Sequence, residues 1–353
     1  MSAGGSALAP RALPVGINID GVLLHDGLVT PHAHTRFAWI RHSGAFDYIE
    51  KNIDPTEDFT PYFKWVEDYG LPIRVFGGIF CAGQDEARMR WGLETGGRLG
   101  AQVFNMQLYA RRADGREITD RQVADFFLDA MEHGEPVGCL PSLEVHVDMW
   151  NERFRRVEAV ANLLAQSNVR LRITLDHSHL VFKIGHPQEL AASSLADEAD
   201  GARALLAPGH PTTLYAQWLR EGWVAHAHTR SVAPGVSHNA AMNRRRGQPG
   251  RAIQYPLIAP PAGSFHGQWQ EDGLRDWKQA VRDLLVHMQA HPEAAPQQIS
   301  CEFIPFPDYG GGGRYSIWGN NLACAAWLRE EWAALQPSTL VESGAQAELA
   351  PGV

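Results

Sequence analysis

The sequence predicts a (β/α)8 TIM barrel of the α/β class, a single closed sheet of parallel strands. Short apolar runs of strand length alternate along the chain with longer segments whose apolar residues recur at helical spacing. Strands that alternate with helices form parallel sheets, and eight such strands close into a barrel. A doubly wound open sheet is disfavoured because GINIDGVLLHDG, which follows the first strand, lacks the spacing of a dinucleotide-binding loop.

Each predicted strand is a short apolar run next to polar or turn residues. The strands are predicted at residues 15–20, 36–41, 72–78, 101–106, 139–147, 170–176, 222–228 and 298–304. Apolar residues at helical spacing predict helices at residues 85–100, 119–134, 151–167 and 271–290. Segment 21–35, after the first strand, is predicted to be mostly loop.

Three connections in the second half are predicted to be long. They are residues 177–221 after strand six, 229–270 after strand seven, and the glycine-rich segment GGGG at 310–313 after strand eight. All three leave the C-terminal ends of strands, where barrel enzymes carry their active sites. Connections of this length are often functional.

The 353 residues, 44% of them hydrophobic, are enough for one barrel domain. We expect a single catalytic domain at 14–336, a disordered N-terminus at 1–13 and a mobile C-terminal tail at 337–353. Both terminal segments are rich in small residues.

Charge and composition exclude several function classes. The formal net charge of −9 disfavours a nucleic-acid partner, which needs a basic face. The four cysteines form no CxxC pair and favour a reducing compartment. The first ten residues do not resemble a secretory signal, and no apolar run is long enough to span a membrane. We therefore expect a cytoplasmic protein without a membrane partner.

Ligand-type side chains occur at the ends of the last four predicted strands. Because these strand ends meet at one mouth of a barrel, the side chains should converge. They are Glu144 and His146 at strand five, Asp176 and then His179 at strand six, His226 and His228 at strand seven, and Glu302 at strand eight. Carboxylates with one or two histidines suit a divalent ion such as Mn²⁺, Mg²⁺ or Co²⁺. Each residue alone also has a structural explanation, as a helix cap, an ion pair or a buried histidine.

This arrangement resembles the xylose isomerase-like TIM barrels, which include ketose 3-epimerases and sugar isomerases. The resemblance rests on the Glu, Asp-x-x-His, His and Glu that end the last four strands. It implies that Glu144, Asp176, His228 and Glu302 bind Mn²⁺ or a similar ion, with His228 a better candidate than His226. It also implies that His179 contacts the substrate.

Two features resemble the large (α) subunit of bacterial C-glycoside deglycosidases more closely. His146 follows the strand-five Glu144 where the epimerases have an Asn-containing segment, and EFIPFPDYGGGGRYSIWGNN follows strand eight. This resemblance implies a lyase that splits the carbon–carbon bond between a 3-oxo-glucose and a flavonoid. It also implies a small β-rich partner subunit in a hetero-oligomer.

Both resemblances share one chemical step, removal of a proton from the carbon next to a carbonyl. In the lyase, His146 is our candidate for the base at C2, and a fifth metal ligand or a hydrogen bond to Glu144 are the alternatives for it. In an epimerase, Glu144 and Glu302 would exchange the proton on opposite faces of the carbon. An apurinic endonuclease is disfavoured by the charge, and a non-catalytic partner subunit by the intact ligand set.

Further substrate contacts are predicted in the loops. Candidates are His179, His226, Arg230, His238 and Asn239, although ordinary loop polarity explains Arg230 and His238 equally well. The aromatic residues after strand eight could line a pocket for a flat aglycone, or belong to the core or a subunit contact. They are Phe303, Phe306, Tyr309, Tyr315 and Trp318.

Overall fold

A computed structural model of the chain describes most of the expected barrel. The described residues are 11–23, 29–195, 199–235, 242–243, 248–249, 251, 253–265, 267–293, 296–306, 309 and 315–336. The tail predicted at 337–353 and residues 1–10 of the predicted N-terminal segment lie outside this range. Arg11 and Leu13, which we assigned to that disordered segment, are held in place: Arg11 donates a hydrogen bond to the Met288 carbonyl, and Leu13 is buried.

The predicted (β/α)8 barrel is confirmed. Eight parallel strands close in the order β1-β2-β3-β4-β5-β6-β7-β10, and β10 pairs back onto β1. The barrel strands are β1 (Val15–Asn18), β2 (Tyr48–Asn52), β3 (Ile73–Phe80), β4 (Val103–Leu108), β5 (Leu140–Glu144), β6 (Ile173–Asp176), β7 (Val224–Thr229) and β10 (Ile299–Cys301). The short strands β8 (Met242–Asn243) and β9 (Gln248–Pro249) pair separately within the connection after β7.

Helices connect the strands and cover the outside of the barrel. They are α1 (Ala33–Ser43), α2 (Thr60–Tyr69), α3 (Glu86–Arg98), α4 (Asp120–Gly134), α5 (Arg155–Ala165), α6 (Ser178–Val181), α7 (Pro187–Ala192), α8 (Ala199–Leu206), α9 (Leu214–Arg220), α10 (Arg275–Ala290) and α11 (Ile317–Ala334). The long connection after strand six thus contains four helices, α6 to α9. In the part of the chain that the structure describes, no helix is long and apolar enough to cross a membrane.

The strand predicted at 36–41 is wrong. These residues lie inside α1, and the second strand is β2, whose sequence is YIEKN. The run RFAWIR has the apolar content of a buried strand but packs as a helix, while β2 carries Glu50 and Lys51 and so lacks an apolar appearance. The missed strand matters because Glu50 points into the barrel.

Strand alternation separates an apolar outer layer from a polar interior. Leu143, Leu175 and Cys301 face the helices and are buried in the core. The residues one position away face the barrel axis, where Thr174 donates a hydrogen bond to Ser142 and Tyr48 is paired with Ser300. Side chains at the C-terminal ends of these strands therefore point into one mouth.

Candidate active site

Four ligand-type side chains converge at the mouth of the barrel. Glu144 and Asp176 end β5 and β6, His228 lies near the end of β7, and Glu302 directly follows β10. All four are buried, and one donor atom from each lies within 4.8 Å of the others. The convergence of the four strand ends brings together residues that are far apart in sequence.

The donor atoms of this group suit a divalent cation. Nδ1 of His228 lies 3.1 Å from Oε2 of Glu302 and 3.5 Å from Oε1 of Glu144. These three buried atoms have no hydrogen-bond partner among the described residues. Buried polar atoms normally have partners, so three such atoms in one group are suited to hold a cation. Nitrogen and carboxylate oxygen donors suit Mn²⁺, Mg²⁺ or Co²⁺.

Glu50 fixes which nitrogen of His228 faces the group. Oε1 of Glu50 lies 2.8 Å from Nε2 of His228, and its Oε2 lies 3.4 Å from Nε2 of His226. Burial acts to lower the pKa of His228, but the carboxylates of Glu302, Glu50 and Glu144 outweigh burial and raise that pKa well above its ordinary value. The three carboxylates thus make the site favourable for positive charge.

Two amides occupy the second oxygen of Glu144. Oε2 accepts hydrogen bonds from Nδ2 of Asn105 at 2.7 Å and from Nε2 of Gln107 at 2.8 Å. Burial acts to raise the pKa of Glu144, but His228 outweighs burial and lowers that pKa to about 2. Glu144 is therefore an anion with one oxygen committed to amides and the other facing the metal group.

Arg230, in the loop after β7, forms an ion pair with Asp176. Its Nη2 donates to Oδ2 of Asp176 at 2.6 Å, and it also lies 2.9 Å from Nε2 of His179. The backbone N–H of Val147 points at the other nitrogen of His179, 3.4 Å away. Burial first of all lowers the pKa of His179 well below its ordinary value, which favours the neutral ring.

His146 lies just beyond the end of β5, which is shorter than the predicted strand. Its Nδ1 is 2.6 Å from the carbonyl oxygen of Val147, and its Nε2 is 3.0 Å from the hydroxyl of Tyr309. Burial lowers the pKa of His146 despite the neighbouring Glu144. Both nitrogens thus have protein partners, but a nitrogen of His146 also lies within 4.8 Å of donor atoms of Glu144 and His179 in a group that could hold a metal, so its role as base or fifth ligand stays a prediction.

The remaining predicted contact residues lie at different depths. Arg230 and His179 are buried beside the metal group, whereas His226 lies one layer deeper, 3.2 Å from the hydroxyl of Ser300. His238 and Asn239 lie outside the described residues. The substrate contacts of all five residues stay predictions.

The aromatic residues after β10 divide into two sets. Phe303 and Tyr315 are buried in the core, which is one of the alternatives we considered. Phe306 is 50% exposed and its ring lies 6.1 Å from that of Tyr309. Only these last two provide an aromatic surface beside His146 in the part of the loop that the structure describes.

Sequence reasoning missed Glu50, Asn105 and Gln107. Each lies on a strand and points into the barrel, so the signal was a polar residue at an inward position of a strand. For Asn105 and Gln107 that signal was present at the end of a correctly predicted strand. For Glu50 it was hidden because β2 itself was not predicted.

Comparison with known proteins supports the fold. No family model and no curated protein matches the sequence. The structure is similar to a xylose isomerase-like TIM barrel protein from Mycobacterium smegmatis in complex with magnesium, at 13% identity, covering 91% of this chain and 98% of that chain with a TM-score of 0.52. It is also similar to a D-allulose 3-epimerase from Methylomonas sp. in complex with D-allulose, at 12% identity, covering 90% and 98% of the two chains with a TM-score of 0.52.

At these identities the comparisons establish the fold. The chain shares the TIM-barrel fold of these two proteins, which the alternation of strands and helices predicted. The closer resemblance to the deglycosidase subunit is not supported by these matches and stays a prediction.

Proposed function

We propose that the protein is a divalent-metal-dependent enzyme that interconverts ketoses by moving a proton at the carbon next to the carbonyl. The observation that carries this proposal is the buried group of Glu144, Asp176, His228 and Glu302, whose three unpaired donor atoms face one point beside the neutral His146. An isomerase or epimerase is the activity that this site and the fold support together.

The four residues of the group would hold the ion. A divalent ion bound there acts as a Lewis acid that polarises a carbonyl oxygen and makes the neighbouring carbon acid easier to ionise. Mn²⁺ is our first candidate and Mg²⁺ or Co²⁺ are the others.

The surrounding side chains supply the proton transfer. Glu302 has one oxygen without a hydrogen-bond partner among the described residues, and its other oxygen is 3.5 Å from the amide of Asn18. Glu144 likewise has one oxygen in the metal group, while Asn105 and Gln107 bond its Oε2. We therefore assign one proton transfer to the carboxylates Glu144 and Glu302 and the other to the His146 side of the site.

The test is exchange of deuterium from D₂O into a ketose. Mn²⁺-treated protein is incubated with D-fructose, D-tagatose or D-allulose, and exchange is read by mass spectrometry and NMR. We expect deuterium at the carbon next to the carbonyl, and loss of exchange after chelation and in His228→Ala. Absence of exchange with every ketose would contradict the proposal.

A second candidate is the carbon–carbon lyase acting on 3-oxo-C-glucosides of flavonoids. His146 beside the metal group and the exposed ring of Phe306 next to Tyr309 favour it, since the first provides a base and the second a surface for a flat aglycone. Proton loss at C2 would be followed by cleavage of the bond between C1, which is β to the ketone, and the aglycone carbon; a proton from an acid ends on the aglycone carbon, and a C1=C2 double bond remains in the sugar.

This second candidate includes the small β-rich partner subunit. Its test is aglycone release from a 3-oxo-C-glucosyl flavonoid by Mn²⁺-treated protein, with and without a small β-rich subunit of a C-glycoside deglycosidase. Release that is lost in His146→Ala would establish the lyase. Ketose exchange without aglycone release would leave the first proposal standing alone.

A further inference from the structure

His146 has only one nitrogen that can accept a proton. Its Nδ1 lies 2.6 Å from the Val147 carbonyl oxygen, which can only accept a hydrogen bond, so Nδ1 carries the hydrogen. In a neutral imidazole the other nitrogen, Nε2, then bears the lone pair. Asp148, with φ of 66°, adopts a left-handed turn directly after Val147.

Tyr309 covers that lone pair. Its hydroxyl lies 3.0 Å from Nε2 of His146, and because Nε2 has no hydrogen to give, the phenol must donate. His146 is buried, whereas Tyr309 is only partly buried and lies in the loop after β10. Any proton that reaches the lone pair along this direction passes the phenol oxygen.

Arg230 makes the position of Tyr309 suitable for proton transfer. Its guanidinium carbon lies 5.1 Å from the centre of the Tyr309 ring, and the same guanidinium is paired with Asp176 of the metal group. A cation at that distance is attracted to an electron-rich ring and stabilises negative charge that develops on the phenol oxygen. The contact also fixes the ring next to the carboxylates that would bind the metal.

We propose that Tyr309 is the group that meets the substrate and that it passes protons between the substrate carbon and His146. The inference rests on the proposed enolisation of a sugar carbonyl. As the C–H bond breaks, its proton goes to the Tyr309 oxygen, the original phenol proton moves to Nε2 of His146, and the C–H electron pair becomes the C=C bond of an enediolate. Reversal of these steps returns a proton to carbon, so no oxidant or reductant is needed.

The hydrogen-bond direction is tested by NMR on Mg²⁺-treated protein labelled with ¹⁵N-histidine. We expect His146, assigned by its absence in His146→Gln, to be protonated at Nδ1 and bare at Nε2. Tyr309→Phe should shift the Nε2 signal. Tyr69→Phe is the matched control, because it removes a tyrosine contact of 3.0 Å to Nε2 of His34 on the outer helices. A His146 protonated at Nε2 would overturn the relay.

The proton transfer is tested by deuterium exchange into the ketose substrates. Tyr309→Phe should lower the exchange rate constant at saturating substrate by roughly 10²–10⁴-fold, as loss of a positioned acid–base group does, with little change in KM or in Mn²⁺ affinity. Equal or faster exchange in Tyr309→Phe, with none in His146→Gln, would show that Tyr309 merely covers His146 and would overturn the relay.

The two arms separate the relay from the proposed function. If the wild-type protein exchanges no ketose, the ketose proposal fails and the NMR result decides on the relay geometry. If the wild-type protein exchanges deuterium into a ketose and the NMR result is as expected, the exchange rates of Tyr309→Phe and wild type are compared. Their ratio decides whether Tyr309 transfers the proton or only shields His146.

Discussion

Two buried polar clusters lie at the C-terminal end of the barrel, and they differ in how their charges are compensated. One is the metal group, Glu144, Asp176, His228 and Glu302. The other, the ion cluster, consists of Asp148, Glu152, Lys183, Glu189 and Arg251. In the ion cluster Lys183 lies 2.8 Å from Glu152 and 3.2 Å from Glu189, and Arg251 contacts all three carboxylates.

The difference separates a structural cluster from a binding site. Carboxylates in the ion cluster have cations of the protein beside them, so the cluster needs nothing from outside. In the metal group, Arg230 pairs with Asp176 and lies 3.6 Å from Oε2 of Glu302, yet that oxygen and Oε1 of Glu144 have no hydrogen-bond partner among the described residues. Buried charge is costly unless it is paired, so the metal group is built for a cation from solution.

Breaking the ion cluster should have the largest effect on stability. Lys183→Met removes a buried cation from beside Glu152 and Glu189, and removal of one partner from a buried ion pair typically costs about 3–5 kcal/mol. We expect that loss in urea unfolding, with Mn²⁺ affinity unchanged. Lys64→Met is the control, since Lys64 forms an exposed pair with Asp68, and it should cost less than ~1 kcal/mol. Equal losses in both variants would contradict the comparison.

Metal addition should stabilise the protein through the metal group. A ligand that binds only the folded state at about 100 times its Kd adds about 2.7 kcal/mol to the free energy of unfolding. We expect that gain with Mn²⁺ in urea unfolding of wild-type protein and of Lys183→Met. The gain should disappear in Glu302→Gln; its persistence there would show that the ion binds elsewhere.

Glu50→Gln should lower the affinity for the metal ion, although Glu50 is not one of the four proposed ligands. Loss of the carboxylate that orients a metal-binding histidine typically costs about 10–100-fold in metal affinity. Calorimetric titration with Mn²⁺ measures this directly. Ser300→Ala is the control, because Ser300 lies in the same layer and contacts His226 rather than His228. Equal affinities in wild type and Glu50→Gln would remove the positioning role from Glu50.

Removing one titrating carboxylate from each cluster should change the pH dependence of stability with opposite signs. Burial acts to raise the pKa of Glu152, but Lys183 and Arg251 outweigh burial and lower that pKa. Its contribution is therefore complete above the unfolded pKa of about 4.3 and is lost as pH falls through the lower folded pKa. Glu152→Gln should destabilise the protein at pH 7.

Asp176 should behave in the opposite way in metal-free protein. Burial raises the pKa of Asp176, and Arg230 only partly offsets it, so the ionised form costs stability at pH 7. This cost vanishes as pH falls below the unfolded pKa of about 3.9. In metal-free protein the free energy of unfolding of wild type relative to Asp176→Asn should therefore fall as pH rises through about 4, whereas relative to Glu152→Gln it should rise, and the same sign for both would contradict the comparison.

The metal group also shows which site residues can be predicted from the sequence. The four residues of the metal group each end a strand that apolar patterning predicts, so their convergence follows from the barrel alone. Glu50 could not be found in this way, because β2 is polar at Glu50 and Lys51 while the helical run at 36–41 is more apolar. The local sequence pattern does not distinguish a short polar strand from an apolar helix, because pairing within the closed barrel determines which segment becomes the strand.

Contacts between residues on different loops also could not be predicted from the sequence. Arg251 reaches Asp148 across 103 residues, and Tyr309 reaches His146 across 163. No spacing rule relates residues on different loops. The sequence identified His146 as a candidate base, but not the phenol that covers it.

The most direct test of the account is a titration of chelator-treated protein with Mn²⁺, with bound ions counted by elemental analysis. We expect one tightly bound ion per chain in wild type and in Glu152→Gln. Glu302→Gln and His228→Ala should each lose more than the ~100-fold in affinity that removal of an outer-shell partner costs. If wild type binds no ion, or if His228→Ala binds it as tightly as wild type, the metal group is not a metal site.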